Sequence, residues 1–142
     1  MDGTERETVV QFNSTAWPNG LALDAADKQL YWVDAHSDQV SVIDLTTGAI
    51  RVLVEQQGAH FFSVDVIGAY LYITDWKKNY LQRMNKHGGA LKQFGEAKFT
   101  RLYGIKGFNS TEAFKGNSFV RHCGEIRCTS KYRNLKKTSA FI

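Results

Sequence analysis

The sequence predicts an all-β chain, a β-propeller fragment of about two full four-stranded blades with partial ones beside them, ending in an irregular basic tail. Three observations predict it. Leu30-Tyr31-Trp32-Val33-Asp34 and Leu71-Tyr72-Ile73-Thr74-Asp75 are aromatic-rich runs of strand formers that both stop on an aspartate. Laying residue n on n+41 pairs Asp24 with Asp65, Tyr31 with Tyr72, Asp34 with Asp75, Val40 with Leu81 and Gly48 with Gly89, without a gap. A period in the low forties with four short strands per unit is the mark of a propeller blade. The runs also lack the three-and-four apolar spacing that helical repeats of similar length would show.

Taken in order, residues 1–16 read as the end of a preceding blade, with a hairpin turn at Asp2-Gly3-Thr4 and a strand from Glu7 to Phe12. Residues 17–58 form the blade with the Tyr-Trp-Val-Asp run; its strands are expected near 20–24, 30–34, 39–45 and 50–54. Residues 59–98 form the next, with strands near 62–66, 70–74, 80–84 and 91–94. Gly48, Gly68 and His87-Gly88-Gly89 punctuate these blades as turns. Residues 99–108 add a closing strand around Leu102-Tyr103-Gly104-Ile105, and residues 109–142, Lys/Arg-rich and Ser/Asn-rich, show no period.

The blade dictates residue types. Its first strand is crowded by neighbouring blades, so small and aliphatic residues such as Gly20, Leu21, Ala22 and Leu23 suit it. Its second strand packs blade on blade, where Tyr31, Trp32 and Tyr72 supply area. Asp34 and Asp75, buried at strand ends, need partners, and the N–H groups of a neighbouring turn are the expected donors. Their recurrence in both repeats reads as architecture rather than catalysis.

Composition sets further bounds. With 142 residues and 43% hydrophobic content, the chain is globular rather than disordered. Its net charge of +4 is asymmetric: residues 1–71 hold three basic residues against ten acids, and residues 72–142 hold fifteen against four. A solvated tail is the plain reading of that excess, and no nucleic-acid partner is expected. The most apolar run, from His60 to Thr74, is interrupted by Asp65 and falls short of a membrane span. The acidic, polar opening Met-Asp-Gly-Thr-Glu-Arg-Glu is not expected to be a signal peptide. Asn13-Ser14-Thr15 and Asn109-Ser110-Thr111 are acceptor sequons for glycosylation, which together lean towards a secreted context. A disulfide between Cys123 and Cys128 would close a small loop. His122 and these cysteines fit no zinc module, so neither metal nor cofactor is expected.

Tyr31-Trp32-Val33-Asp34 and Tyr72-Ile73-Thr74-Asp75 resemble the YWTD motif of low-density-lipoprotein-receptor class B repeats. Trp17-Pro18-Asn19-Gly20-Leu21-Ala22-Leu23-Asp24 is similar to the run leading into the fifth blade of that propeller, and Thr74-Asp75-Trp76 with Asn85-Lys86-His87-Gly88-Gly89 to the sixth. The resemblance covers about residues 1–108. It implies part of a six-bladed propeller in the extracellular region of a lipoprotein-receptor-related receptor, endocytic or Wnt co-receptor-like. Such a module is not an enzyme; it binds a secreted protein ligand and meets the membrane only through the parent receptor. Ile73 departs from the family's tryptophan and should weaken contact between blades. An EGF-like module with six cysteines would follow the last blade, whereas the tail offers only Cys123 and Cys128.

Carried over by position, the family's ligand face holds Trp17, Asn19, His36, Phe62, Trp76 and Tyr103. Exposed aromatics around a few polar anchors are also what a hot-spot surface requires. His36 and His60 fall near that face, and the resemblance links histidine protonation at endosomal pH to ligand release. The alternative is a gluconolactonase-like six-bladed hydrolase, whose Asn-Gly-Leu run resembles Pro18-Asn19-Gly20-Leu21 and in which an asparagine binds a metal. The corresponding Phe61-Phe62-Ser63 offers no aspartate for such a site.

Overall fold

The computed structural model describes residues 4–96, 98–108 and 125–128. It contains two four-stranded antiparallel sheets, each a meander in sequence order. The first runs through β1 (Pro18–Asp24), β2 (Gln29–Asp34), β3 (Gln39–Asp44) and β4 (Ile50–Glu55). The second runs through β5 (Phe61–Ile67), β6 (Tyr70–Asp75), β7 (Leu81–Asn85) and β8 (Lys92–Phe94). A shorter pair follows, β9 (Ile105–Phe108) with β10 (Glu125–Cys128) antiparallel to it.

The eight blade strands fall where alternation and turn residues put them. Four expectations need correction. Glu7 to Phe12 is not a strand, and residues 4–17 hold no strand at all. A strand propensity is realised only where a neighbour completes the hydrogen-bond ladder, and this stretch is paired with none. It contributes a side chain instead: Phe12 meets Trp32 edge-on, ring centroids 5.6 Å apart. The closing strand starts at Ile105, later than expected. Leu102, ahead of it, is fully buried, and the Tyr103 carbonyl accepts a hydrogen bond from Thr74 Oγ1 at 2.6 Å. The tail is not wholly irregular, since β10 comes from it and Cys128 ends that strand. Cys123 and Asn109 lie outside the described residues.

The fourth correction concerns the repeat. From β2 onward the offset of 41 holds, with Tyr31 matching Tyr72 and Val40 matching Leu81. On the first strands it does not. Gly20 pairs with Val33 while Ser63 pairs with Thr74, so the offset there is 43. The β1–β2 turn holds four residues, 25–28, and the β5–β6 turn only Gly68 and Ala69. Gly68 takes a left-handed φ of 55°, which the tight turn requires and glycine supplies cheaply. Asp24 and Asp65 are therefore not equivalent positions.

The main core lies between the sheets. Ala22, Tyr31, Val33, Val40 and Val42 of the first face Phe61, Val64, Leu71, Ile73 and Met84 of the second. Ile73 is fully buried there. Trp32 is on the opposite face of β2, against Phe12. That outer face also carries Leu21, Leu23, Ile50 and Val52, all exposed, as the strand pairing dictates. The far side of the second sheet gathers Tyr72, Leu81 and Ile105, with Ile67 and Phe94 beside them.

Two contacts tie the sheets together beyond apolar burial. At Gly20 the backbones approach so closely that a Cβ would lie 2.8 Å from Ser63 Cα, 3.1 Å from Val64 N and 3.2 Å from Phe62 O. At the opposite end Lys86, leaving β7, places Nζ 2.7 Å from Asp24 Oδ2 and 2.6 Å from Asp27 Oδ2. The Lys86 side chain is only 13% exposed. Its hydrogen bond holds the Asp24 carboxyl below the ordinary carboxylate range, against the opposing effect of burial. The two carboxylates in turn push the Lys86 ammonium upward.

Gly20→Ala is expected to cost about 1–3 kcal/mol, because only backbone can yield to the new methyl. Gly68→Ala meets nothing within 4 Å and bears only the left-handed strain, about 1 kcal/mol. Urea midpoints of the two variants check this; a smaller loss at Gly20 would mean the sheets are not in tight contact there. Lys86→Met should cost about 2 kcal/mol near neutral pH. Asp24 has a depressed folded pKa, so its stabilisation is present above about pH 4 and is lost as pH falls through the lowered value. Parent and Lys86→Met stabilities should therefore converge in acid, which a urea series at stepped pH reads directly.

Candidate functional site: an aromatic rim

At one end of both sheets the chain enters the first strand and leaves the second. The two aspartates that close β2 and β6 organise this end. Asp34 Oδ2 accepts the Trp17 N–H at 3.0 Å, and Oδ1 accepts those of His36 at 2.8 Å and Ser37 at 2.9 Å. Asp75 Oδ1 accepts the N–H groups of Lys77 at 2.7 Å and His60 at 3.2 Å. Both carboxylates are buried. A buried carboxylate needs hydrogen-bond donors, and here the loops on either side supply them to every oxygen but Asp75 Oδ2, which has no partner among the described residues. Backbone pairs extend each ladder by one step, Ala35 N to Trp17 O at 3.1 Å and Trp76 N to His60 O at 3.0 Å.

This arrangement sets out the aromatic side chains in a line. Trp17 lies 5.5 Å from His36 and 6.4 Å from His60. His60 stacks on Trp76 at 5.1 Å, and Phe62 stacks on Trp76 at 4.9 Å. Tyr103 meets Phe62 edge-on at 5.6 Å and Trp76 at 5.9 Å. The result is one continuous band from His36 to Tyr103 that crosses the junction between the sheets. Trp17 is 54% exposed and Trp76 39%. Asn19 is not part of the stack; its Nδ2 donates to Phe61 O at 3.0 Å and links the first loop to β5.

The structure thus brings together five of the six residues placed on this face by position, with Asn19 beside them as a brace. His60 completes the band. In the 43-residue offset it is the counterpart of Trp17, as the matching bonds to Asp34 and Asp75 show. The short Gly68-Ala69 turn was the signal that would have located it. Asp38, in the turn between β2 and β3, has φ 57° and accepts the Gly58 N–H at 2.7 Å, pinning the loop that leads to His60. Asn13 is exposed, with Oδ1 accepting from its own sequon at Thr15 N, 3.1 Å, and Thr15 Oγ1, 2.9 Å. Among the described residues no three His, Cys, Asp or Glu side chains are grouped to hold a metal, and no helix is long and apolar enough to cross a membrane.

No protein-family profile matches the chain. Among curated proteins it is similar to human low-density lipoprotein receptor-related protein 5-like protein, 34% identical over 73 residues, covering 51% of this chain and 29% of that protein. It is also similar to human low-density lipoprotein receptor-related protein 4, 36% identical over 74 residues, covering 52% of this chain and 4% of that one. The chain thus spans under a third of the length of either. Among solved structures, a chain of a nidogen–laminin complex superposes with a TM-score of 0.59 at 34% identity, covering 72% of this chain and 39% of that one. A virginiamycin B lyase from Staphylococcus aureus superposes at 0.55 with 19% identity, covering 68% of this chain and 33% of that one, a likeness of fold alone. The two sheets are blades of a β-propeller, and their sequence is similar to the propeller repeats of lipoprotein-receptor-related proteins.

Asp34→Ala should cost about 3 kcal/mol, since it strands three backbone N–H groups at a buried strand end. Asp38→Ala, which removes one exposed bond, should cost about 1 kcal/mol. Equal denaturant midpoints for the two would remove the architectural role of the strand-end aspartate.

Proposed function

We infer that this chain belongs to the extracellular propeller of a lipoprotein-receptor-related receptor and serves as a non-enzymatic module that binds a secreted protein on its aromatic rim. The observation that carries the reading is the continuous band of His36, Trp17, His60, Trp76, Phe62 and Tyr103. Buried aspartates hold the loop ends that present Trp17, His36 and His60, a backbone pair holds Trp76, β5 carries Phe62, and Thr74 Oγ1 holds the Tyr103 carbonyl. Rigid, partly exposed aromatics bind at low entropic cost, because little conformational freedom remains to be lost. The similar human proteins are receptor-related by name, and the similar propeller chain comes from the structure of a protein–protein complex.

Within that reading, Trp17 and Trp76 are the anchors, being the large side chains left open to solvent. His36, Phe62 and Tyr103 shape the flanks, and Asn19 keeps the loop between the blades in register. Asn13 would carry glycan in the segment ahead of the band. Neighbouring blades and an EGF-like module would complete the receptor.

For a secreted protein captured on the displayed chain, Trp17→Ala and Trp76→Ala should each weaken binding by about 2 kcal/mol or more while the fold persists. Trp32→Ala should do the opposite, lowering stability and affecting binding only through it. Titration of each displayed variant against the ligand, beside its thermal midpoint, separates the outcomes. Unchanged affinity in folded Trp17 and Trp76 variants would place the ligand elsewhere.

A further inference from the structure

Beside Trp76 the rim opens into a cleft of about 400 Å³, lined by Trp76, Lys77, Lys78, Asn79, Tyr80 and Thr100. The turn that carries Lys77 and Lys78 is fixed by the Lys77 N–H on Asp75 Oδ1 and the Lys78 N–H on the Asp75 carbonyl, 3.1 Å. Phe99 N on Asn79 O at 2.6 Å ties the segment ahead of Thr100 to that turn. Every lining side chain, the indole of Trp76 included, carries a hydrogen-bond donor, and none carries a carboxylate. Lys98 and Arg101, both exposed, flank Thr100 in the sequence.

Elsewhere the protein neutralises its inter-blade cations internally. Lys86 has Asp24 and Asp27, and Lys106 has Asp65 at 3.2 Å. The cleft differs. Lys77 Nζ donates to the Gly58 carbonyl at 2.9 Å, a contact that leaves its charge in place. Lys78 is half-buried and has no ion-pair partner among the described residues. The acids nearest in sequence do not serve it: Asp75 is fully buried, with Oδ1 engaged by two N–H groups and Oδ2 reached by no cation among the described residues, and Glu96 is exposed on the stretch beyond β8. A half-buried lysine without an ion pair, beside an open aromatic face and several further donors, favours an incoming carboxylate over a neutral group.

We propose that this cleft receives an acidic side chain of the partner, so that the recognised segment is an acidic peptide with a carboxylate beside the apolar residue that covers Trp76. The proposal rests on the binding function inferred above and adds the charge of the ligand to it. Opposite charge here also raises the encounter rate and makes binding weaken with added salt.

Selection of random peptides on the whole displayed chain tests it. Expected are enriched peptides with Glu or Asp next to an aromatic or aliphatic residue, whose affinity falls about fivefold on Lys78→Gln. The same loss should follow from Glu→Gln in the peptide, and the two losses should not add. Trp76→Ala should abolish binding of the same peptides. Replacing Lys131, Arg133, Lys136 and Lys137 by Gln controls for capture by the basic tail; acidic peptides lost in that variant but indifferent to Lys78→Gln overturn the proposal. Trp76-dependent peptides without acids, equally bound by the Lys78→Gln chain, overturn the acidic partner and leave the binding rim standing. Recovery of no Trp76-dependent peptide overturns both.

Discussion

A carboxylate withdrawn from water at the end of each second strand governs this structure. Asp34 and Asp75 sit where the ladder stops, in positions from which solvent is excluded, and each must find donors within the protein. The donors are the N–H groups of loops that would otherwise move freely: the entry to the first strand and the exit from the second. One charge thus orders two loops. The aromatic side chains on those loops inherit that order, and the band across the rim is its visible result.

The second constraint is burial on both faces of a thin sheet. Tyr31 and Val33 point one way and Trp32 the other, so a single blade leaves one apolar face bare whichever neighbour it finds. Between the two blades the fit is closed by small residues at the inner strands, tightest at Gly20 against the β5 backbone. At the outer end of the inner strands, Lys86 bridges the blades by charge. On the far side of the first blade Phe12 covers Trp32 while Leu21, Leu23, Ile50 and Val52 stay in solvent.

The strands, the turns and most of the rim were legible in the sequence because each rests on local signals: alternation, glycine at left-handed positions, and an aromatic run ending in aspartate. What escaped rests on contacts between distant residues. Glu7 to Phe12 has the composition of a strand, yet pairing, which no local property reveals, decides whether it becomes one. β10 hides in a tail without period for the same reason, in reverse. Lys86 aligns with Leu45 in the first blade, so repetition gives it no emphasis, and its partners lie 62 and 59 residues earlier in the chain. His60 falls near the face in the sequence, but the gapless alignment puts Gly58, not His60, opposite Trp17.

That slip of two residues has a consequence for how such chains diverge. The β1–β2 and β5–β6 hairpins differ in length at the end remote from the aromatic band, while the aspartate bonds hold the other end in common register. Insertions and deletions can therefore accumulate in the remote hairpin without displacing a single rim residue. Any comparison of blades, within this chain or across lineages, gains by anchoring on the strand-end aspartate and letting the gap fall in that turn. Aligned so, Trp17 answers to His60 and Asn19 to Phe62, and substitutions at those sites become readable as changes on one shared surface.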